Sequence, residues 1–338
     1  TQRCLDLGPM LYLGISNGDF TMTYFMTVRN ITKDKFGSEP GATHFLKVPG
    51  NATPSPKHRI RKTDWIKEVM EEATSGIENS EPVGDILFYV HGYNNSPKDV
   101  AERHRKLSKG LAKHGFKGVV VSFDWPSANT AINYLEDRHD AKQTMLRLVD
   151  QGIRTFAALQ RPDCRINQHI LAHSMGCYVV REAFDDADDI ASVAAKSWTV
   201  SQVMFVAGDV SSRGMREGAS KSSSLYRHCV RFTNYYNPSD AILKLSNAKR
   251  IGVRPRAGRI GLPDRVPEKA VDVFCGQYYK ENVDPGLSSP RKAHTWYFED
   301  DVFLRDVTFT IQGDIDRMEI PTREPTNLGN LGLVKPTA

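Results

Sequence analysis

The chain is poor in cysteine, and the few it has are scattered. Cys4, Cys164, Cys177, Cys229 and Cys275 are five in 338 residues, an odd number with no Cys-x-x-Cys pair. That argues against a disulfide framework or a zinc site and for free thiols in a reducing compartment. Cys177 reads as a buried helix residue rather than a reactive group. Long apolar runs are also missing: none approaches the ~18 residues that a membrane span needs. The opening TQRCLDLGPM lacks the charged and apolar regions of a secretory signal. A cytoplasmic location is therefore expected, although a chain that begins at Thr1 leaves an exported precursor open. Internal repeats and low-complexity domains are absent. Charge of one sign is not concentrated either. Forty-five Lys and Arg against forty Asp and Glu give a net charge of +5, far from the basic footprint of a nucleic-acid binder. No nucleic-acid partner is expected, and the oligomeric state is not written in the sequence.

What is present is ordinary globular material. Hydrophobic residues make up 40% and charged residues 25%, so a large core needs no staples. The length suits one large α/β domain or two small ones. Residues 1–80 read as an N-terminal extension packing on the core. It carries strands at Tyr24–Val28 and His44–Val48, a Pro-, Lys- and Arg-rich loop over 49–62, and a helix capped by Thr63 that runs to Ala73. Residues 81–315 read as the main domain. Its apolar runs at Ile86–Val90, Val119–Phe123, Ile166–Leu171, Val203–Ala207 and Val230–Tyr236 suit strands covered on both faces, with a shorter strand at Val271–Phe274. Helices are expected over 97–114, over roughly 130–160 with Leu146, Val149, Ile153 and Phe156 at helical spacing, after Ser174, and over 300–311. His104, His114 and His139 fall on these helices and read as surface residues. The run Asp185, Asp186, Asp188, Asp189 reads as a solvated end to the helix after Ser174 and lacks an EF-hand loop. The tail 316–338 is rich in Pro, Gly and Asn from Pro321 and reads as loosely packed. The alternation predicts an α/β fold with a mostly parallel central sheet flanked by helices. Such sheets gather their sites at strand carboxyl ends, here His91–Asn95, Trp125, Ser174, Asp209 and Asp240.

One stretch organises the rest. Ile166–Val180, INQHILAHSMGCYVV, reads as strand, sharp turn and helix, with Ser174 at the apex and Gly176 where backbones must pass closely. A strained turn of this kind pushes one hydroxyl out above a sheet. Its usual pattern is Gly-x-Ser-x-Gly; Ala172 stands at the first small position here. A serine hydroxyl is a weak nucleophile at neutral pH and needs a base oriented by a third group. Histidine titrates near working pH, and a carboxylate holds its tautomer. Among ten histidines, His294 is the best base, in a loop between the last strand and the closing helix. His91 and His173 sit on strand ends and shape the loop and the elbow. Two acids compete. Asp240 ends Asn237-Pro238-Ser239-Asp240 after the second strand beyond the elbow, and Asp209 ends Gly208-Asp209 after the first. The one not used would bond nearby backbone N–H groups. An oxyanion needs two preorganised backbone donors. These are the N–H of Met175 and that of Tyr93, where Gly92 lets the chain turn inward. Trp125, His173 and Asn94 are candidates for lining a substrate pocket, with core packing the competing reading for Trp125.

Taken together, ILFYVHGYNNS, SFDWPS, ILAHSMG, YYNPSDAIL and HTWYF before the closing helix resemble the α/β-hydrolase superfamily, in its bacterial esterase/lipase-like branch of hydrolases of unknown function. The likeness spans roughly residues 20–310. It implies Ser174 as nucleophile, Asp240 rather than Asp209 as acid, His294 as base and an oxyanion loop at Tyr93. The expected activity is serine carboxylic-ester hydrolysis of a small-molecule ester through an acyl-enzyme, with no cofactor and no metal. Two alternatives stand beside it. One is a lipase or phospholipase at a membrane surface, docked by Lys249, Arg250, Arg254, Arg256, Arg259 and Arg265. The other is a non-catalytic binding module on a hydrolase scaffold, because fold does not decide function. The same acyl-enzyme also leaves peptidase, thioesterase and acyltransferase chemistry open.

Overall fold

A strand that is apolar on both faces must be covered on both. Ile86, Leu87, Phe88, Tyr89 and Val90 meet that demand and are all fully buried. The computed structural model describes residues 22–78, 81–127, 144–158, 165–195, 198–249 (backbone only for 246–249) and 255–336. Cys4, Cys164, His139, most of the segment 130–160, Arg250 and Arg254 therefore lie outside the described residues. The strands are β1 (Met22–Thr32), β2 (Lys35–Pro49), β3 (Arg59–Ile60), β4 (Thr74–Glu78), β5 (Glu81–Val90), β6 (Val119–Asp124), β7 (Arg165–His173), β8 (Val200–Val206), β9 (Cys229–Tyr236), β10 (Ala270–Phe274), β11 (Arg323–Pro325) and β12 (Leu331–Leu333).

All join one sheet in the order β11-β12-β10-β9-β8-β7-β5-β6-β1-β2-β3, with β4 hairpinned onto β5. Every pairing from β12 through β1 along that path is parallel. The outer pairings β1–β2, β2–β3 and β11–β12 are antiparallel. From β5 the chain steps to β6 on one side, returns past β5 to β7, and then moves outward through β8, β9 and β10. Strand order reverses between β5 and β7, where an open sheet leaves a crevice beyond its carboxyl ends.

Alternate residues feed two cores. Phe88, Val90, Ile170, Ala172 and Phe205 face the helices Lys62–Ala73, Met175–Asp189 and Ser220–His228 through Trp65, Val179, Phe184 and Leu225. Leu87, Tyr89, Leu171, Met204 and Tyr235 face the helices Pro97–Lys113 and Asp301–Gln312 through Leu107, Leu111, Phe303 and Val307.

Several expectations change. The N-terminal residues from Met22 are part of the sheet itself, because β1 pairs with β6 in parallel register. The helix Lys62–Ala73 has Arg61 at its N-cap with no side-chain cap, so Thr63 lies inside it. His104 is buried, not on the surface: its Nδ1 is 2.8 Å from Ser122 Oγ and its ring stacks on Phe25 at 5.0 Å. The acidic run stays helical to Asp189, and Asp185 and Asp188 pair with Lys221, Arg227 and His228. The tail is tied down as well. Arg323 donates to buried Asp306 at 2.7 and 2.9 Å, and Leu331 and Leu333 are buried. Proline and glycine content marks turns, but burial of one arginine beside one aspartate is a tertiary event with no local signature.

Candidate active site

β7 ends at His173 and a helix begins at Met175, so Ser174 makes the whole turn. It does so at φ 56° and ψ −123°, a costly region for a residue with a Cβ. Neighbouring backbone holds it there: Ser174 N–H donates to Val206 O at 2.9 Å, and Ser174 O accepts from Asp209 N–H at 3.0 Å. Two glycines make room. A Cβ on Gly176 would lie 2.3 Å from Val90 O, and one on Gly92 would lie 2.9 Å from Ser174 Cβ. The methyl of Ala172 is taken up by the core without exposure.

Asp240 follows β9 in a tight turn in which its N–H bonds Asn237 O at 3.0 Å. Its carboxylate is fully buried. Oδ1 accepts from Leu243 N–H at 3.1 Å, and Oδ2 lies 2.6 Å from His294 Nδ1. An ionised carboxylate only accepts, so Nδ1 carries the proton and Nε2 keeps a lone pair. That Nε2 is 2.9 Å from Ser174 Oγ. Ser174 and His294 retain 8% and 7% exposure. His294 does not sit in a loop as expected. It belongs to the short helix Pro290–Thr295, started by Pro290 and capped by Ser289 Oγ.

Asp209, the competing acid, is committed elsewhere. Its Oδ1 is 3.0 Å from Arg256 Nε, and both side chains are nearly buried. The same ion pair takes Arg256 out of the expected basic docking segment. His173 is buried rather than lining an open pocket. Its Nε2–H donates to His294 O at 2.8 Å, and the two rings lie 4.8 Å apart. Burial first, and the neighbouring His294 second, hold its pKa well below the usual histidine value, so it is neutral beside His294. Trp125 is also buried: its Nε1–H donates to His91 O at 2.8 Å, and its ring stacks on His91 at 5.5 Å. Asn94 is exposed, with a left-handed φ of 53° and its N–H on Ser127 O at 2.6 Å.

Of the two proposed oxyanion donors, Met175 N–H opens a helix, where the first N–H groups have no intrahelical partner. Tyr93 follows Gly92, with its ring half-buried against the core. Beneath this loop lies a network that sequence reasoning missed. Arg29 on β1 bonds Asp124 Oδ1 at 2.8 Å through Nε and Asn95 O at 2.8 Å through Nη2. Thr27 Oγ1 donates to Asp124 Oδ2 at 3.0 Å. Burial alone would raise the Asp124 pKa; the Arg29 guanidinium outweighs it and holds the carboxyl below its ordinary range. Burial lowers the pKa of His91. The neutral ring accepts Trp125 N–H on Nε2 at 3.1 Å, which leaves Nδ1–H to donate to Gly92 O at 2.8 Å. One signal was available: an arginine inside the apolar strand YFMTVRN must find a counter-charge.

A parallel sheet with a serine elbow at its switch point, and a histidine and a carboxylate converging on that serine, defines an α/β-hydrolase architecture. The chain belongs to the family of α/β hydrolases of unknown function, DUF900, whose model matches residues 68–269. That stretch holds Tyr93, Ser174 and Asp240; it begins after β1 and ends before His294. No curated protein matches the chain in sequence. Three solved structures are similar at low identity. A cutinase-like protein from Cryptococcus sp. is 11% identical with a TM-score of 0.34, over 70% of this chain and 96% of that one. Phospholipase PlaB from Legionella pneumophila, solved with thio-NAD, is 15% identical with a TM-score of 0.27, over 62% of this chain and 41% of that one. The metagenomic carboxyl esterase MGS0156 is 14% identical with a TM-score of 0.22, over 60% of this chain and 51% of that one. Likeness this distant carries nothing about activity. No helix among the described residues is long and apolar enough to cross a membrane.

Proposed function

We propose that the protein is a serine carboxylic-ester hydrolase that works through an acyl-enzyme. The observation that carries this reading is the unbroken line from Asp240 to His294 at 2.6 Å and from His294 to Ser174 at 2.9 Å. Ser174 Oγ attacks the ester carbonyl carbon while His294 Nε2 takes its proton. The oxyanion that forms is met by the N–H groups of Met175 and Tyr93. Asp240 keeps Nδ1–H in place and offsets the charge of the imidazolium. Collapse breaks the bond to the alcohol oxygen, which leaves with the proton from His294. Water then gives a proton to the same nitrogen as its oxygen bonds the acyl carbon. Ser174 Oγ departs and recovers the proton. Ester and water become acid and alcohol, with no redox change and no cofactor.

The test is Ser174→Ala assayed with p-nitrophenyl butyrate. Turnover is expected to fall by about 10,000-fold or more, and a fluorophosphonate probe should label the wild type and not the variant. A purified variant that keeps a tenth or so of wild-type turnover overturns the reading.

A further inference from the structure

We propose that Asn95 is a positioning residue for the Tyr93 N–H, acting through the carbonyl of the same peptide group, and that buried Arg29 on β1 holds Asn95 in place. The proposal rests on the reading of Tyr93 as an oxyanion donor. A trans peptide is planar, with C=O and N–H pointing in opposite directions. Whatever fixes Gly92 O therefore aims Tyr93 N–H. Gly92 O receives two donors, Asn95 Nδ2–H at 2.7 Å and His91 Nδ1–H at 2.8 Å. Asn95 Nδ2 also donates to Tyr93 O at 3.0 Å, so one amide group grips consecutive carbonyls.

The loop needs this grip because of Gly92. Only a glycine comes this close to Ser174, since an added Cβ would lie 2.9 Å from Ser174 Cβ. The same glycine leaves the following peptide free to rotate. Preorganised donors stabilise an oxyanion only if they do not reorient as it forms. Asn95 is itself immobilised. Its N–H donates to Ser127 Oγ at 3.1 Å, and its O accepts from Arg29 Nη2 at 2.8 Å and from Ser127 Oγ at 3.3 Å. Arg29 and Asn95 are both buried, so water does not substitute for either. Asn94 beside it is exposed, and this assigns the two adjacent asparagines different tasks: Asn94 makes the left-handed turn and Asn95 aims the peptide.

Asn95→Asp is the informative variant, because it keeps the shape and loses the donor when ionised. With p-nitrophenyl butyrate, kcat is expected to fall about 10- to 100-fold with KM within about threefold, since the interaction is strengthened only in the transition state. Inhibition by butylboronic acid, which forms a tetrahedral adduct, should weaken in parallel, while inhibition by the product butyrate should not. A protonated carboxyl regains one O–H donor, so the ratio of variant to wild-type kcat should rise as pH falls toward the carboxyl range. Asn95→Ala should lose kcat without that rise. Wild-type kcat in both variants, or a loss carried by KM with a flat pH ratio, overturns the proposal. If both fail to fold, Arg29→Lys keeps a charge beside Asp124 but loses the fork that reaches Asn95 O; reduced kcat at unchanged KM supports the proposal and unchanged kcat overturns it. An active Ser174→Ala would sink the ester-hydrolase reading instead, whereas an inactive Ser174→Ala beside fully active Asn95 variants sinks this one alone.

Discussion

Two buried arginine–aspartate pairs sit in segments near opposite ends of the chain, and their chemistry is nearly the same. Arg29 meets Asp124 at 2.8 Å and Arg323 meets Asp306 at 2.7 Å, with at most 3% side-chain exposure in either pair. Both arginines lie outside the stretch 68–269 that matches the family. They differ in where their remaining hydrogen bonds end. Arg323 reaches Tyr235 Oη at 3.1 Å and Thr310 Oγ1 at 2.5 Å, while Thr322 Oγ1 closes on Asp306 at 2.6 Å. Those bonds end in the core and fasten the last segment to the helix Asp301–Gln312. Arg29 instead reaches the carbonyl of Asn95, in the loop beside Ser174. A buried ion pair is weak evidence of net stabilisation, because desolvation offsets most of its attraction. What each pair does is register one segment against another. The same device is structural in one place and, on our reading, bears on the chemistry in the other.

The comparison can be broken most sharply by removing one charge from each pair. Arg29→Met and Arg323→Met each leave a buried carboxylate without its partner and should each cost about 3–5 kcal/mol in urea unfolding. Folded Arg323→Met should keep kcat/KM within about twofold of wild type, while folded Arg29→Met should lose about tenfold or more. Equal activities in the two variants would erase the distinction. A smaller effect is expected when both charges go. Arg29→Met with Asp124→Leu, and Arg323→Met with Asp306→Leu, should recover most of the lost stability. Only the first double variant should remain slow, because its Asn95 carbonyl has lost the Arg29 donor and keeps only the longer bond from Ser127 Oγ.

A further effect is with pH. Burial lowers the pKa of His91, His104 and His173, that of His104 to about 3. Each folded-state value lies below the unfolded one, so the unfolded chain takes up protons first. The stability these groups contribute is complete above roughly pH 6.5 and is lost as pH falls, down through about 3 for His104. Asp124, also depressed, adds a loss across the carboxylate range. His104 packs on Phe25 of β1 and Ser122 of β6. Hydrogen exchange under acid should therefore open β1 and β6 before β9 and the helix Asp301–Gln312. Uniform loss of protection would mean that the two regions do not differ in this respect.

Much of the architecture is legible locally. ILFYV announces a strand covered on both faces, and the alternation of such runs with amphipathic stretches announces a parallel sheet. AHSMG between a strand and a helix marks Ser174, and the order of Asp240 and His294 after it suits the hydrolase architecture. Other features are not settled by local sequence, for one shared reason. Asn94 and Asn95 are adjacent and chemically identical, and only the path of the loop decides which of them turns outward. Trp125 and His173 sit at strand ends, where burial depends on what crosses above them. Asp209 and Asp240 both end strands, and the choice between them depends on Arg256, which follows in the chain after both. His104 carries a helical, surface-like pattern, yet β1 lies against it.

What the sequence determined by itself is therefore the central strands, the turn that exposes Ser174 and the inventory of groups that such a turn requires. These follow from periodicity and from the steric demands of glycine and of a strained elbow, which act within a few residues. Only the tertiary structure decided that Asp240 and not Asp209 meets His294, that Asn95 and not Asn94 grips the Gly92 carbonyl, and that an arginine from β1 stands behind it. Those outcomes depend on which buried polar group finds which partner, and satisfying a buried charge is a property of the assembled core rather than of any stretch of chain.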